Sequence, residues 1–172
     1  PGNLMTPTSA MAVFFDLLTK NGRLFTQREY VDYAWTVWSE WKKTLTDTEI
    51  LGIEARLYRN FYPSAIDSMH VWALLVETGA FAYCSLDTAH DALGKTDLTV
   101  VSKDRRVVKV ALLSGTAYSK RWTSYKRKAR GEVRGAVDII LPMNRPREPG
   151  NKRWYRLDDL VPVFKAFELE FE

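Results

Sequence analysis

The sequence predicts an α+β (α/β) fold, with a helical N-terminal part followed by a short mixed β-sheet flanked by helices. Across residues 10–78, apolar side chains recur at spacings of three and four, which is typical of amphipathic helices. From residue 81 onward, short apolar runs bounded by turn residues replace that pattern and indicate strands. The chain has 172 residues, of which 46% are hydrophobic, so it is long enough to bury a core without disulfides.

The helical N-terminal region is predicted to span residues 5–62. It starts at Met5 because residues 1–4 are interpreted as a cloning remnant. Thr26–Glu29 and Thr46–Glu49 both match a capping box. In this motif the threonine hydroxyl and the glutamate carboxylate satisfy the first backbone N–H groups of a helix. Helices are predicted over residues 10–20, 27–45, 46–61 and 65–78.

The C-terminal region, residues 63–172, is predicted to contain the sheet. Strands are predicted over residues 81–86, 97–101, 107–113 and 137–141. A short charged turn, Lys103–Arg106, joins the second and third strands, so these strands are expected to pair antiparallel. Two further helices are expected, over residues 117–130 and over residues 157–167, where Pro162 limits regularity.

Composition excludes several classes of protein. Cys84 is the only cysteine, so an intrachain disulfide is impossible, and with two histidines the chain offers a poor ligand set for structural zinc. No apolar run reaches the length of a membrane span, and the N-terminal residues lack the pattern of a signal peptide. These features predict a cytoplasmic protein with no membrane partner and no resident cofactor.

One phrase of the C-terminal region combines an acidic residue, a glycine-containing turn and an Asp–hydrophobic–x–hydrophobic strand start. It runs from Asp91 through Gly94 and Asp97 to Val100. Together with the element order helix, strand, strand, strand, helix, strand, it resembles the core of the PD-(D/E)xK, or restriction-endonuclease-like, nuclease superfamily. The resemblance covers residues 64–141, about half of the chain. It implies a nuclease-like core, in a superfamily frequent in phages, mobile elements and defence systems.

The resemblance also implies a chemistry. Members of the superfamily hold a divalent metal, typically Mg²⁺, between an aspartate at one strand edge and an acid on the next strand. A lysine two residues after that acid helps to activate water. Asp97 matches the first aspartate and is the one motif match to a metal ligand. The acid and the lysine would fall at Val110 and Leu112, or at Ala111 and Leu113, and none of these side chains can replace them. We therefore expect a degenerate member that has lost catalysis and binds no metal.

Two other interpretations of these carboxylates stay open. In the first, migrated residues restore a Mg²⁺-dependent nuclease, with an acid from the first helix, Glu77 or Asp67, and with Lys109 or Lys95 as the lysine. The degenerate catalytic candidates are thus Asp97, Glu77 and Lys109. Alternatively, aspartates such as Asp91 and Asp97 satisfy backbone N–H groups at a turn or strand start and have no chemical role.

A basic segment over residues 116–134 is the strongest indication of a partner. Its cationic residues are Lys120, Arg121, Lys126, Arg127, Lys128, Arg130 and Arg134. Such a cluster attracts polyanions, although cations also collect near helix C-termini because the macrodipole favours them. The aromatic side chains of Tyr118, Trp122 and Tyr125 share one helical stripe and are expected to pack on the sheet. A second basic cluster contains Arg145, Arg147, Lys152, Arg153 and Arg156.

These observations predict a nucleic-acid-binding protein on a nuclease-like fold that has lost catalysis, with DNA as the expected nucleic acid. One alternative is an active Mg²⁺-dependent endonuclease. The other is a structural or protein-interaction module with a protein partner or a second copy of the chain. In that case Tyr33, Trp35 and Trp41 would be the exposed anchors.

Overall fold

The computed structural model describes residues 8–86, 96–116, 121, 136–144, 146–147 and 153–169. The chain forms two compact units, Pro1–Ile66 and Asp67–Glu172. The first unit is helical and the second contains a four-stranded mixed sheet with flanking helices. The predicted α+β fold class is therefore confirmed. None of the helices within the described ranges is long and apolar enough to cross a membrane.

The first unit contains the helices α1 (Ala10–Asn21), α2 (Gln27–Val37), α3 (Ser39–Lys42) and α4 (Asp47–Arg56). Of these, α2 and α4 start where the capping boxes predict. At the start of α2, the Glu29 N–H donates to Thr26 Oγ1 at 3.2 Å, and the Thr26 N–H donates to Glu29 Oε2 at 2.6 Å. Thr46 and Glu49 repeat this exchange at the start of α4, at 3.3 and 2.8 Å. Each box thus satisfies two backbone donors that lack a partner within the helix.

The single helix predicted over residues 27–45 is wrong, because the helix breaks at Trp38. This residue has φ −98° and ψ 23°, and separates α2 from α3. The Trp38 side chain is buried and donates its indole N–H to the Thr8 carbonyl at 2.9 Å. Its ring also meets Trp35 and Trp41 edge-on, at centroid distances of 6.0 and 5.8 Å. We attribute the break to these tertiary contacts, which outweigh the local helical pattern.

The predicted interruption near residue 62 is a π-helical turn rather than a loop. The turn Leu57–Phe61 leads directly into α5 (Tyr62–Glu77), and the Tyr62 N–H bonds to the Leu57 carbonyl five residues back. The cause is Pro63, which has no N–H to donate and whose ring would collide with the carbonyl of the fourth residue before it. Widening the preceding turn lets the helix continue past the proline.

The sheet contains β1 (Phe81–Leu86), β2 (Leu98–Ser102), β3 (Val107–Ser114) and β4 (Ala136–Leu141), in that spatial order. β1 pairs antiparallel with β2, and β2 pairs antiparallel with β3, as the short charged turn predicts. β4 runs parallel to β3, so the chain between them must cross back over the sheet. Apart from Arg121, the predicted helix 117–130 lies outside the described residues, and so does its aromatic stripe.

Alternation along the strands separates the two faces of the sheet. Val100, Val108, Val110 and Ile139 point to a buried core. That core also contains Val71 and Leu75 of α5, together with Leu160, Val163 and Phe164 from the C-terminal segment. The C-terminal segment forms a 3₁₀ turn, Leu157–Leu160, followed by α6 (Val161–Ala166). Pro162 stands in the first turn of α6, which is why residues 157–167 do not form one regular helix.

Candidate functional site

Asp97 lies immediately before β2 and is bound to the backbone of β3. Its N–H donates to the Val110 carbonyl at 2.8 Å, and its Oδ2 accepts from the Leu112 N–H at 2.7 Å. Val110 and Leu112 stand where the superfamily would have its acid and its lysine. Both contact Asp97 through backbone atoms. A carboxylate that accepts a backbone N–H stabilises the strand end, which is the structural role that the sequence left open.

Tyr155 lies beside this aspartate and is almost completely buried. Its hydroxyl donates to the Leu113 carbonyl at 3.2 Å, next to the residue whose N–H binds Asp97. Burial raises the pKa of the Tyr155 phenol, and the negative charges of Asp67, Asp97 and Asp159 raise it further. Three carboxylates from different segments therefore act on the Tyr155 phenol: Asp67 of α5, Asp97 at the start of β2 and Asp159 of the C-terminal segment.

His70 ties the same C-terminal segment to α5. Its Nε2 lies 2.9 Å from the Tyr155 carbonyl, and it must donate, because a carbonyl oxygen only accepts. The imidazole also meets the Trp154 ring at a centroid distance of 4.9 Å. Asp67 and His70 are three residues apart and so share one face of α5. Sequence reasoning missed both Tyr155 and His70, since no local periodicity or spacing connects residue 155 with residues 67–70.

The remaining catalytic candidates lie elsewhere. Glu77 is the exposed last residue of α5, about 15 Å along the helix from Asp67 at 1.5 Å per residue. It precedes Phe81, which pairs with Ser102, whereas Asp97 precedes Leu98 at the other end of β2. Lys109 points to the sheet face away from the core, and its Nζ donates to Thr99 Oγ1 at 2.7 Å. Glu77 and Lys109 therefore do not reproduce the motif, in which the acid and the lysine lie two residues apart on one strand.

The described residues give little support for a bound metal. Within the described ranges, no group of three or more His, Cys, Asp or Glu side chains is arranged to hold an ion. Mg²⁺ requires oxygen ligands in near-octahedral geometry, and Asp97 Oδ2 already accepts the Leu112 N–H. The negative charges of Asp67, Asp97 and Asp159 all raise the pKa of the Tyr155 phenol. We derive no metal-dependent step from this donor set.

The predicted basic surface falls mostly outside the described residues. Of the first cluster, only Arg121 is described, and it is helical and exposed. The other predicted positions of that cluster, Lys120, Lys126, Arg127, Lys128, Arg130 and Arg134, lie outside the described ranges. In the second cluster, Arg147 and Arg156 are exposed, and Arg153 is half-buried on the segment that delivers Tyr155.

The aromatic anchors predicted for a protein partner need a correction. Trp35 is only 7% exposed, and its indole N–H donates to Glu54 Oε1 at 2.8 Å. It forms part of the inner wall of an open pocket of about 710 Å³ between α2 and α4. Lys42 lies over its ring at 5.0 Å, and Arg28 pairs with Asp32 at 3.0 Å on the same wall. Trp35 is therefore a packing residue, since its polar atom and its ring face already have partners.

Comparisons with known protein families, with curated proteins and with solved structures found no match.

Proposed function

We propose that this chain is a nucleic-acid-binding protein built on a nuclease-like fold that has lost catalysis. The order of its described elements supports the proposal. After α5 come β1, β2 and β3, and β4 follows after a crossover, in the order of the superfamily core that the sequence resembles. DNA is the nucleic acid that we expect, by the same resemblance.

The observation that carries the loss of catalysis is the bond between the Leu112 N–H and Asp97 Oδ2. At the point where a nuclease needs an acid and a lysine, β3 supplies a backbone donor and apolar side chains. Val110 is fully buried and Leu112 packs against the core. An aspartate held in this way stabilises the start of β2, and the side chains of Val110 and Leu112 cannot activate water.

The binding half of the proposal rests on the charge of the basic segment, residues 116–134. Exposed lysines and arginines that neutralise phosphates release counterions, so affinity should fall steeply as salt rises. Arg121, the described member of the cluster, is exposed on a helix, as a phosphate contact requires. The second cluster would extend this surface through Arg147 and Arg156, both exposed.

Charge reversal tests the binding. Replacing Lys126, Arg127 and Lys128 by Glu should abolish binding to a labelled DNA duplex in gel shifts, while thermal unfolding stays unchanged. A variant with Arg56, Arg59 and Lys165 replaced by Glu makes the same charge change at exposed sites elsewhere and should bind almost normally. Equal affinity of the first variant and the wild type at equal salt would remove the basis of the proposal.

A second candidate function, a Mg²⁺-dependent endonuclease with a migrated acid, is favoured by one observation. The charges of Asp67 on α5 and of Asp97 both raise the pKa of the Tyr155 phenol, so a helix carboxylate and the motif aspartate act on the same buried group. Two carboxylates are within the number by which Mg²⁺ is commonly held. Cleavage assays with Asp67 and Asp97 variants separate this candidate from the first.

A further inference from the structure

The sheet face away from the core carries an exposed apolar row that crosses three strands. Tyr83 on β1 pairs with Val101 on β2, and Val101 pairs with Val107 on β3. Tyr83 is 61% exposed, Val107 is 59% exposed and Val101 between them is half-buried. On β2 and β3 the residues that point the other way, such as Val100 and Val108, are buried. Because neighbouring strands lie about 4.8 Å apart, the row is about 10 Å long. We call Tyr83, Val101 and Val107 the Tyr83 row.

A polar row borders the Tyr83 row on one side. Ser85, Thr99 and Lys109 are the next cross-strand neighbours on this face. The Lys109 ammonium group donates to the Thr99 hydroxyl at 2.7 Å, which holds the cation on this face of the sheet. Hydroxyl groups and an ammonium group next to an aromatic ring suit a ligand that combines flat rings with anions.

The β2–β3 turn borders the row on the other side and is cationic. Lys103 and Arg105 are both exposed, and neither makes an ion pair with any other residue that the structure describes. The acid between them, Asp104, is held by Arg106 Nε at 2.7 Å and by the Ser102 hydroxyl. Hydrogen bonds from Ser102 and Arg106 also lower the pKa of Asp104. The two free-standing cations thus dominate the charge of the turn.

We propose that the Tyr83 row and this turn form a binding surface for single-stranded nucleic acid. A base stacks on the Tyr83 ring, and neighbouring phosphates contact Lys103 and Arg105. An exposed aromatic ring beside cations favours single strands, because their bases are free to stack, whereas duplex bases already stack on one another. The inference rests on the proposed nucleic-acid-binding function, and it names a second contact surface outside the basic segment.

Fluorescence anisotropy with labelled oligothymidine of about 20 nucleotides tests the inference, with a labelled duplex of equal length beside it. Tyr83→Ala should weaken binding of the single strand about tenfold and leave duplex binding unchanged, because only the single strand stacks on the ring. Tyr83→Phe keeps the aromatic face and should bind like the wild type. Leu51→Ala removes another exposed apolar side chain, 66% exposed on α4, and serves as the matched control.

Salt dependence gives an independent readout. Replacing Lys103 and Arg105 by Gln should reduce the slope of log affinity against log salt by about 1.4, since each phosphate contact of a single strand contributes about 0.7. An unchanged slope would contradict the assigned phosphate contacts.

The outcomes separate this inference from the proposed function. If Tyr83→Ala and Leu51→Ala both bind the single strand like the wild type, the inference is overturned while the proposed function stands. If the wild type binds duplex but no single strand, the inference is likewise overturned and the proposed function stands. If the wild type binds neither probe at low salt, both proposals fail. If Tyr83→Ala changes only the oligomeric state in size-exclusion chromatography, the row is an interface between copies of the chain.

Discussion

Leu112 and Asp97 are joined by a 2.7 Å hydrogen bond from the Leu112 N–H to Asp97 Oδ2. The aspartate that the nuclease resemblance singles out is thereby an acceptor for the strand that should have carried its catalytic partners. The bond gives the Asp97 carboxylate a role in stability rather than in catalysis. If the carboxylate is mainly structural, its replacement should weaken the fold and leave binding intact.

Asp97→Ala should lower the free energy of unfolding by about 1–3 kcal/mol, because a part-buried backbone N–H would lose its acceptor. Asp97→Asn keeps a carbonyl oxygen at the same position and should cost less. Urea unfolding followed by circular dichroism measures both. Equal stability of the alanine variant and the wild type would show that the bond contributes nothing to the strand.

Tyr155 predicts a loss of stability at alkaline pH. Burial and the carboxylates of Asp67, Asp97 and Asp159 raise its pKa above the ordinary value of 10.0, so the folded state holds the phenolic proton more tightly than the unfolded state. The resulting stabilisation is fully present below pH 10 and is lost as the pH rises from there toward the folded pKa. Tyr155→Phe cannot ionise, and its unfolding free energy should therefore decline less above pH 10.

The Tyr155→Phe comparison needs a reference, because Tyr30 is also buried and its pKa is also raised. Tyr30 belongs to the helical unit, and Tyr30→Phe measures the part of the alkaline decline that does not come from Tyr155. Chemical denaturation at a series of pH values provides the measurement. Parallel pH profiles for wild type and Tyr155→Phe would contradict the assigned environment of Tyr155.

Two glycines give opposite predictions for the same substitution. A Cβ added at Gly115 would lie 2.7 Å from the Leu141 carbonyl oxygen, which is backbone and cannot move aside easily. Gly115→Ala should therefore cost about 1–3 kcal/mol and disturb the pairing of β3 with β4. Gly52 lies within α4, and a Cβ there meets no atom within 4 Å, so Gly52→Ala should stabilise the helix by about 0.5–1 kcal/mol. Thermal unfolding of the two variants should show shifts of opposite sign.

Local signals predicted most of the fold. The capping boxes at Thr26 and Thr46 placed two helix starts, because they act within four residues of the chain. The turn at Lys103–Arg106 predicted the antiparallel pairing of β2 and β3 for the same reason. The helix predicted over residues 27–45 breaks at Trp38, and we attribute the break to tertiary contacts such as the bond from its indole N–H to the Thr8 carbonyl, 30 residues away. Pro63 was recognised as a boundary, but the π-helical turn that carries the helix past it was not predicted.

The candidate site was predicted only in part, because it is assembled from distant segments. Asp97 could be identified from its strand start, and Asp67 was one of two helix acids considered. Asp67 rather than Glu77 acts on Tyr155 beside Asp97, whereas Glu77 precedes Phe81, which pairs with Ser102 at the other end of β2. Tyr155 joins the site from a segment far along the chain. The Tyr83 row likewise depends on pairing across three strands and has no signature in any one of them.

The measurement that tests the central claim most directly follows binding and cleavage of one labelled DNA in the same samples. Wild type, Asp67→Ala and Asp97→Ala are incubated with duplex and single-stranded substrates in Mg²⁺, in Mn²⁺ and in EDTA, and are analysed on native and denaturing gels. We predict a shifted complex on the native gels and uncut DNA on the denaturing gels for every sample, because β3 presents Val110 and Leu112 where a nuclease requires an acid and a lysine. Metal-dependent cleavage by the wild type that disappears in either aspartate variant would contradict the account and establish the endonuclease.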